Sequence, residues 1–137
     1  MTQDLEEAVG WRHELHRHPE LLFDLPWTAG FVADRLRTFG LAVETGIGGS
    51  GVVAMARGDR PGPVTGLRAD MDALPILETA SADPVSLHPG RMHACGHDGH
   101  TAMLLLAGAT SRAPPSLSSS PPRRTAALGR GPCCRTG

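Results

Sequence analysis

Residues 92–109 read MHACGHDGHTAMLLLAGA, so a histidine-rich loop runs directly into an apolar segment. The apolar part is rich in Ala and Leu and predicts a helix that begins near Asp98. Apolar periodicity predicts two earlier helices, and short apolar runs predict three strands between them and the loop. These elements cover residues 3–17 and 28–39 for the helices, and 41–44, 52–56 and 64–68 for the strands. Their order predicts an α/β sandwich.

Single residues mark where these elements end. Pro19 closes the first helix, because the residue before a proline is pushed out of the helical region. Thr28 is the expected N-cap of the second helix, and Gly40 is its expected C-terminal stop. The glycine-rich residues 46–51 predict a turn, and residues 79–91 predict irregular structure.

Charge is divided unevenly along the 137 residues, although the net charge is only -1. Residues 1–110 hold all 14 acidic and 8 of the 13 basic residues, whereas residues 111–137 hold five arginines and no acid. The near-zero total argues against a uniformly basic nucleic-acid binder. The Pro-, Ser- and Arg-rich residues 111–137 predict a disordered tail. An arginine-rich nucleic-acid arm and translation out of frame are the two alternatives.

The sequence favours a cytoplasmic protein. No apolar run approaches the ~18 residues that a membrane span requires. The N-terminal residues are acidic and lack the basic and apolar regions of a secretory signal. Cys133 and Cys134 lie in the predicted tail, so Cys95 is the lone cysteine of the regular part. A lone cysteine is no disulfide framework and indicates a reducing compartment.

The histidine-rich loop is the strongest candidate site. Thiolate, imidazole and carboxylate are ligands for a divalent metal ion such as Zn, Mn or Co. Cys95 and His97 lie two residues apart, and Gly96 lets the backbone turn between them. A polar loop with solvated histidines is the alternative, and a small structural zinc module is a more distant one. The loop offers five candidate side chains, namely His93, Cys95, His97, Asp98 and His100.

A second cluster contains Asp70 and Asp72, which a strand would present on one face at its end. Paired carboxylates there can bind a cation or orient a ligand histidine. Turn or capping aspartates are the alternative. The histidines of the first helix region, His13, His16 and His18, are expected to be surface or packing residues.

Four stretches together resemble the peptidase M20 metal-dependent amidohydrolases. The similar branch contains hippurate hydrolases, N-acyl-amino-acid amidohydrolases and auxin-conjugate hydrolases. The resemblance covers residues 8–110, with Asp83-Pro84-Val85 as a local departure from the family pattern. The matching stretches are RHELHRHPEL at 12–21, GIGGSGVVA at 46–54, LRADMDALPI at 67–76 and PGRMHACGHDGHTAML at 89–104.

The resemblance implies a role for several residues. Cys95 and His97 would be metal ligands, and Asp72 the catalytic aspartate that orients a ligand. The family mechanism is metal-assisted amide hydrolysis, in which a water is activated, a glutamate acts as general base and the metals polarise the acyl carbonyl. The cofactor would be a divalent ion, namely Mn, Zn or Co. Asp70, His93, Asp98 and His100 would support the site.

The resemblance also implies elements that this sequence lacks. The family's base glutamate and further ligands follow the last helix, but no Glu follows Glu78 and no His follows His100. We therefore expect no general base here, and an inactive chain on its own. Residues 1–110 would be the N-terminal part of a zinc-peptidase-like catalytic domain, a partial α/β/α sandwich. The family's dimerisation domain would be absent, and the alternative function is a non-catalytic, truncated or frameshifted product.

Overall fold

The computed structural model describes residues 2–58, 62–111 and 127–128. Within these residues, three helices and one three-stranded antiparallel sheet form a mixed α/β arrangement. The strand order in the sheet is β1-β2-β3. In chain order the elements are α1 (Thr2–Arg17), α2 (Pro26–Thr38), β1 (Ala42–Ile47), β2 (Gly51–Met55), α3 (His97–Thr110) and β3 (Ala127–Leu128).

Helix α1 agrees with its prediction and ends before Pro19. Trp11 and Leu15 are buried, whereas Leu5, near the N-terminal end of the helix, is 58% exposed. Helix α1 packs mainly against α3, which itself contacts α2. Leu105 of α3 is completely buried in this core. The central helix–helix contact therefore joins residues that are about 90 positions apart in the sequence.

The start of helix α2 corrects the prediction for Thr28. The helix begins at Pro26, so Thr28 lies within the first turn instead of capping it. Proline is favoured there because the first amides of a helix have no internal partner. The carboxylate of Glu20 accepts from the amides of Trp27 at 3.1 Å and Thr28 at 2.8 Å. A carboxylate from outside the helix thus caps it.

The end of α2 and the sheet follow the sequence more closely. Gly40 adopts φ +76 directly after the helix, as its predicted role as stop requires. Strands β1 and β2 pair from Ala42 with Met55 to Ile47 with Gly51. Strand β1 is longer than predicted, and only the residues between the strands form a turn. A Cβ at Gly51 would collide with the carbonyl oxygen of Ile47, so the chain needs glycine there.

The predicted strand at residues 64–68 is wrong within the described part of the chain. These residues form no ladder, and Val64 and Leu67 are 57% and 45% exposed. A strand requires a ladder of hydrogen bonds to a neighbour, and this segment has a bridge at the single residue Thr65. The predicted irregular structure at residues 79–91 is confirmed.

The prediction of a disordered tail falls almost wholly outside the described residues. Ser111 ends α3, and Ala127 and Leu128 pair with Val53 and Val52 of strand β2. The helix predicted to follow the histidine-rich loop is confirmed as α3. Among the described residues, none of the helices is long and apolar enough to cross a membrane.

Candidate metal centre

Backbone hydrogen bonds bring the segment of Asp72 beside the histidine-rich loop. Leu74 and Met92 exchange two N–H···O bonds of 3.0 Å. The neighbouring amide of Ala73 donates to the carbonyl of Glu20 at 2.7 Å. Glu20 thus ties together the start of α2 and the segment of Asp72. These bonds hold Asp72 buried next to the first turn of α3.

The ring of His97, the first residue of α3, is oriented by Asp72. Its Nδ1 lies 2.8 Å from the carbonyl oxygen of Asp72 and 3.1 Å from Oδ1 of the same residue. Both oxygens are acceptors, so Nδ1 carries the proton and donates it. In a neutral ring the lone pair is then on Nε2. A histidine that donates to a carboxylate or carbonyl in this way is oriented as metal-ligating histidines are.

The second predicted ligand, Cys95, lies in the turn that precedes α3 and is exposed. Gly96 between the two ligands adopts φ +77, a left-handed conformation that glycine enters without strain. Its amide donates to the carbonyl of His93 at 3.2 Å, which closes the turn. The loop therefore presents a thiol and an imidazole from the two sides of one glycine.

The described residues fit a divalent cation with two donors. Within residues 2–58 and 62–111, no three His, Cys, Asp or Glu side chains are grouped so that they could hold a metal ion. Cys95 Sγ and His97 Nε2 are the thiol and imidazole donors that Zn²⁺ and similar ions accept. Zinc sites use three or four protein ligands, so these two donors alone would make an incomplete ligand set.

The two predicted aspartates have separate partners. Asp72 contacts His97, whereas the carboxylate of Asp70 pairs with the guanidinium of Arg68 at 2.6 Å. The backbone carbonyl of Asp70 accepts from the hydroxyl of Thr101 at 3.1 Å. Asp70 therefore contacts α3 through its backbone, and the strand that was to present both carboxylates on one face is not formed.

Asp98 and His100 lie in the first turn of α3 in different surroundings. The side chain of Asp98 is 1% exposed, and its Oδ2 accepts from His16 Nδ1 at 2.8 Å and from Arg12 Nε at 3.3 Å. His100 is exposed, and its ring centroid lies 5.9 Å from that of His97. Asp98 thus belongs to a buried polar network, whereas His100 lies at the surface beside His97.

Sequence reasoning missed His16 and Glu78, which complete that network. His16 is buried, and its Nε2 lies 3.0 Å from Glu78 Oε1. Burial lowers the pKa of His16, but the hydrogen bonds to Glu78 and Asp98 outweigh burial and raise it above 6.5. The partners lie 62 and 82 residues away, so local spacing could not identify them. The sequence signal was the position of His16 beside Leu15 on the buried side of α1.

His93 is buried like His16 but has no hydrogen-bonding partner among the described residues. Within residues 2–58, 62–111 and 127–128, neither Nδ1 nor Nε2 bonds to any group, although His93 is only 4% exposed. Burial lowers the pKa of His93 to about 4, so the ring is neutral at pH 7. Its ring centroid lies 6.3 Å from that of His16. Two buried histidines whose pKa values are shifted in opposite directions therefore lie side by side, and one of them, His93, belongs to the histidine-rich loop.

Comparison with known proteins gives a consistent result. Residues 66–126 match the model of peptidase family M20/M25/M40, a range that includes Asp72, Cys95 and His97. A solved dinuclear metal-binding peptidase of the M20 family from Bacillus subtilis superposes with a TM-score of 0.76 at 34% identity. The alignment covers 82% of this chain and 33% of that one.

The chain belongs to the peptidase M20 family. Among its M20 relatives, the N-acyl-L-amino acid amidohydrolase of Geobacillus stearothermophilus is 50% identical over 99 residues, which are 72% of this chain and 27% of the relative. The hippurate hydrolase of Campylobacter jejuni is 49% identical over 96 residues, or 70% of this chain and 25% of the relative. The chain thus spans about a quarter of the length of these relatives.

Proposed function

We propose that this M20 chain serves in metal-dependent hydrolysis of the amide bond of N-acyl amino acids. The observation that carries the proposal is the buried pair in which Asp72 holds the Nδ1 side of His97 and leaves Nε2 available. The named activities of the two relatives, an N-acyl-L-amino acid amidohydrolase and a hippurate hydrolase, support the choice of substrate. A dinuclear metal-binding relative supports the use of a divalent ion.

In this proposal Cys95 and His97 bind the cation, which is Mn, Zn or Co. A bound cation would act as a Lewis acid toward the acyl carbonyl of the substrate. Asp72 keeps the proton on His97 Nδ1, so that the lone pair of the neutral ring lies on Nε2, the donor atom. Asp70, Asp98, His93 and His100 would support these residues from the surrounding turn and helix.

A second candidate, metal binding without turnover by residues 1–137 alone, is favoured by the position of Glu78. It is the last glutamate of the sequence. Its carboxylate accepts from His16 Nε2 at 3.0 Å and from the amide of Ser86 at 2.7 Å. The hydrogen bond to His16 lowers the pKa of Glu78, which makes it a weaker base. We infer that these residues by themselves provide no general base.

Cobalt binding tests the proposed ligands. In a chain that carries Cys133→Ser and Cys134→Ser, Cys95 is the remaining thiol. Addition of Co²⁺ should produce the near-ultraviolet charge-transfer band of a thiolate–cobalt bond. A further Cys95→Ser substitution should abolish the band, and Asp72→Ala should weaken affinity about tenfold. A band of equal strength and affinity after Cys95→Ser would disprove the assigned ligand.

Hydrolysis of hippurate with added Mn²⁺, Co²⁺ or Zn²⁺ separates the two candidates. We expect the pure 137-residue chain to release no glycine above the rate without protein. Turnover that disappears in Cys95→Ala would refute the second candidate and support hydrolysis by this chain itself. Binding of cobalt without turnover would support the second candidate.

The proposal also includes the partners, the cellular location and the oligomeric state of the chain. The partner would be a small-molecule substrate, without nucleic acid or membrane, because the net charge is near zero. A cytoplasmic location is supported by the lone cysteine of residues 1–110. A homo-oligomer would follow from the family resemblance, and size-exclusion chromatography with light scattering tests it directly.

A further inference from the structure

His16 contacts two carboxylates at once, and this geometry determines its charge. Nδ1 lies 2.8 Å from Asp98 Oδ2, and Nε2 lies 3.0 Å from Glu78 Oε1. A neutral imidazole has one donor and one acceptor nitrogen, so it would place a lone pair against one of the carboxylate oxygens. An imidazolium donates from both nitrogens. The structure therefore requires the charged ring if both carboxylates are ionised.

The other contacts of the carboxylates support this ionised state. Asp98 Oδ2 accepts from Arg12 as well as His16, so that oxygen carries no proton. Glu78 Oε2 accepts from the amide of Ser86 at 2.7 Å. The charged groups that face one another are two carboxylates, one imidazolium and the half-exposed guanidinium of Arg12. The neighbouring ring of His93 is the other titratable group, and it is neutral at pH 7.

The network is connected to the metal loop through adjacent residues of α3. His97 and Asp98 follow each other in the first turn, where side chains point about 100° apart around the helix axis. His97 is bonded to Asp72, and Asp98 is bonded to His16 on α1. With two neighbouring side chains bonded to different segments, the first turn cannot rotate without breaking one bond. Cys95 lies two residues before His97, across the turn at Gly96, so a fixed first turn of α3 also fixes the position of Cys95.

We propose that His16 is a positioning residue: as an imidazolium held between Glu78 and Asp98, it fixes the first turn of α3 and with it the Cys95–His97 loop. The proposal rests on the proposed function, because it assigns His16 a role toward the cation that the loop binds. His16 itself does not contact that cation. Partners of this kind, one shell beyond the ligands, typically change metal affinity 10- to 100-fold when removed.

The test compares cobalt affinity among variants of the full 137-residue chain in the Cys133→Ser, Cys134→Ser background. We expect His16→Gln to weaken Co²⁺ binding at least tenfold at pH 7, because glutamine is neutral and, in the place of the ring, would set its amide oxygen against one of the two carboxylates. His16→Arg should stay within about threefold of the parent, since a guanidinium can donate to both. His13→Gln, a half-buried histidine of the same helix, is the matched control and should change nothing.

The outcomes separate the two proposals. A parent that binds cobalt, with His16→Gln equal to it, overturns the role of His16 and leaves the proposed function intact. A parent that binds no cobalt overturns both. If His16→Gln does not fold, recovery of binding by His16→Arg still supports the charged bridge, and failure of a folded His16→Arg to bind overturns it. As an independent readout, ¹⁵N NMR should show both His16 nitrogens protonated at pH 6.5, and a neutral His16 ring there overturns the proposal.

Discussion

His16 and His93 are both buried and lie 6.3 Å apart between their ring centroids, yet their surroundings differ completely. Both nitrogens of His16 bond to carboxylates, whereas neither nitrogen of His93 bonds to any group in the part of the chain that the structure describes. The pKa of His16 is raised, and that of His93 is lowered to about 4. Burial therefore does not decide the charge of a histidine here. Hydrogen-bonding partners overcome the cost of burial at one ring, and their absence leaves that cost uncompensated at the other.

The largest effect should come from removing the charged ring. His16→Leu removes the imidazolium that the buried carboxylates of Glu78 and Asp98 share and leaves Asp98 only the half-exposed Arg12. Breaking one side of a buried ion pair costs about 3–5 kcal/mol. We expect a decrease of that size in the free energy of unfolding, measured by urea denaturation near pH 6.

The same substitution at His13 provides the control. His13 lies on the same helix and is half-buried. We expect His13→Leu to change the free energy of unfolding by less than about 0.5 kcal/mol, as surface substitutions do. Equal losses for the two variants would mean that leucine at these positions disturbs the helix in general, and the ionic account of His16 would fail.

The second prediction concerns pH. A raised pKa means that the charged His16 contributes fully below 6.5, and that the contribution is lost as pH rises through the raised value. The lowered pKa of Glu78 means that its contribution is present above 4.5 and is lost as pH falls through the lowered value. The stability difference between the parent and His16→Gln should therefore be larger at about pH 5.5 than at about pH 9. Urea midpoints at both pH values measure it, and a difference that does not change with pH contradicts a charged His16.

Local sequence signals predicted the helices and suggested Cys95 and His97 as ligands, but they did not reveal the hydrogen-bond network of His16. Gly40 and Pro19 marked helix ends correctly, because backbone conformation at these residues depends on their own covalent structure. The cap on α2 comes instead from Glu20, and His16 is bonded to residues 62 and 82 positions away. Such contacts depend on how the chain folds back on itself, and neither periodicity nor spacing encodes them.

The predicted strand at residues 64–68 failed for the same reason. Its apolar alternation is a property of the segment, whereas a strand also needs a neighbour to pair with. In the described part of the structure the segment has a bridge at Thr65 alone, and Val64 and Leu67 are exposed. The composition of residues 64–68 is compatible with a strand, but whether a strand forms depends on which segment lies beside it in the tertiary structure.

The third prediction separates the buried part of the His16 network from its exposed end. Arg12 contacts Asp98 at 3.3 Å, but its side chain is 48% exposed, so solvent screens the charge. We expect Arg12→Met, which keeps the apolar stem, to reduce the free energy of unfolding by less than about 1 kcal/mol. Thermal denaturation at low and high salt measures this effect, and salt should weaken it further. A loss as large as that of His16→Leu would show that Arg12, not His16, compensates Asp98.

The smallest effect should come from His93, although it is as buried as His16. Replacing a bonded group leaves its partners unsatisfied, but the nitrogens of His93 have no partners to lose among the described residues. His93→Leu keeps similar volume and removes two polar atoms whose burial is uncompensated, so it should change the free energy of unfolding by less than about 1 kcal/mol, and in either direction. Urea denaturation of the metal-free chain at pH 7 measures this against His16→Leu. A loss above about 2 kcal/mol would mean that His93 does have a hydrogen-bonding partner. The two histidines would then differ in which groups they bond to, and not in whether they have partners.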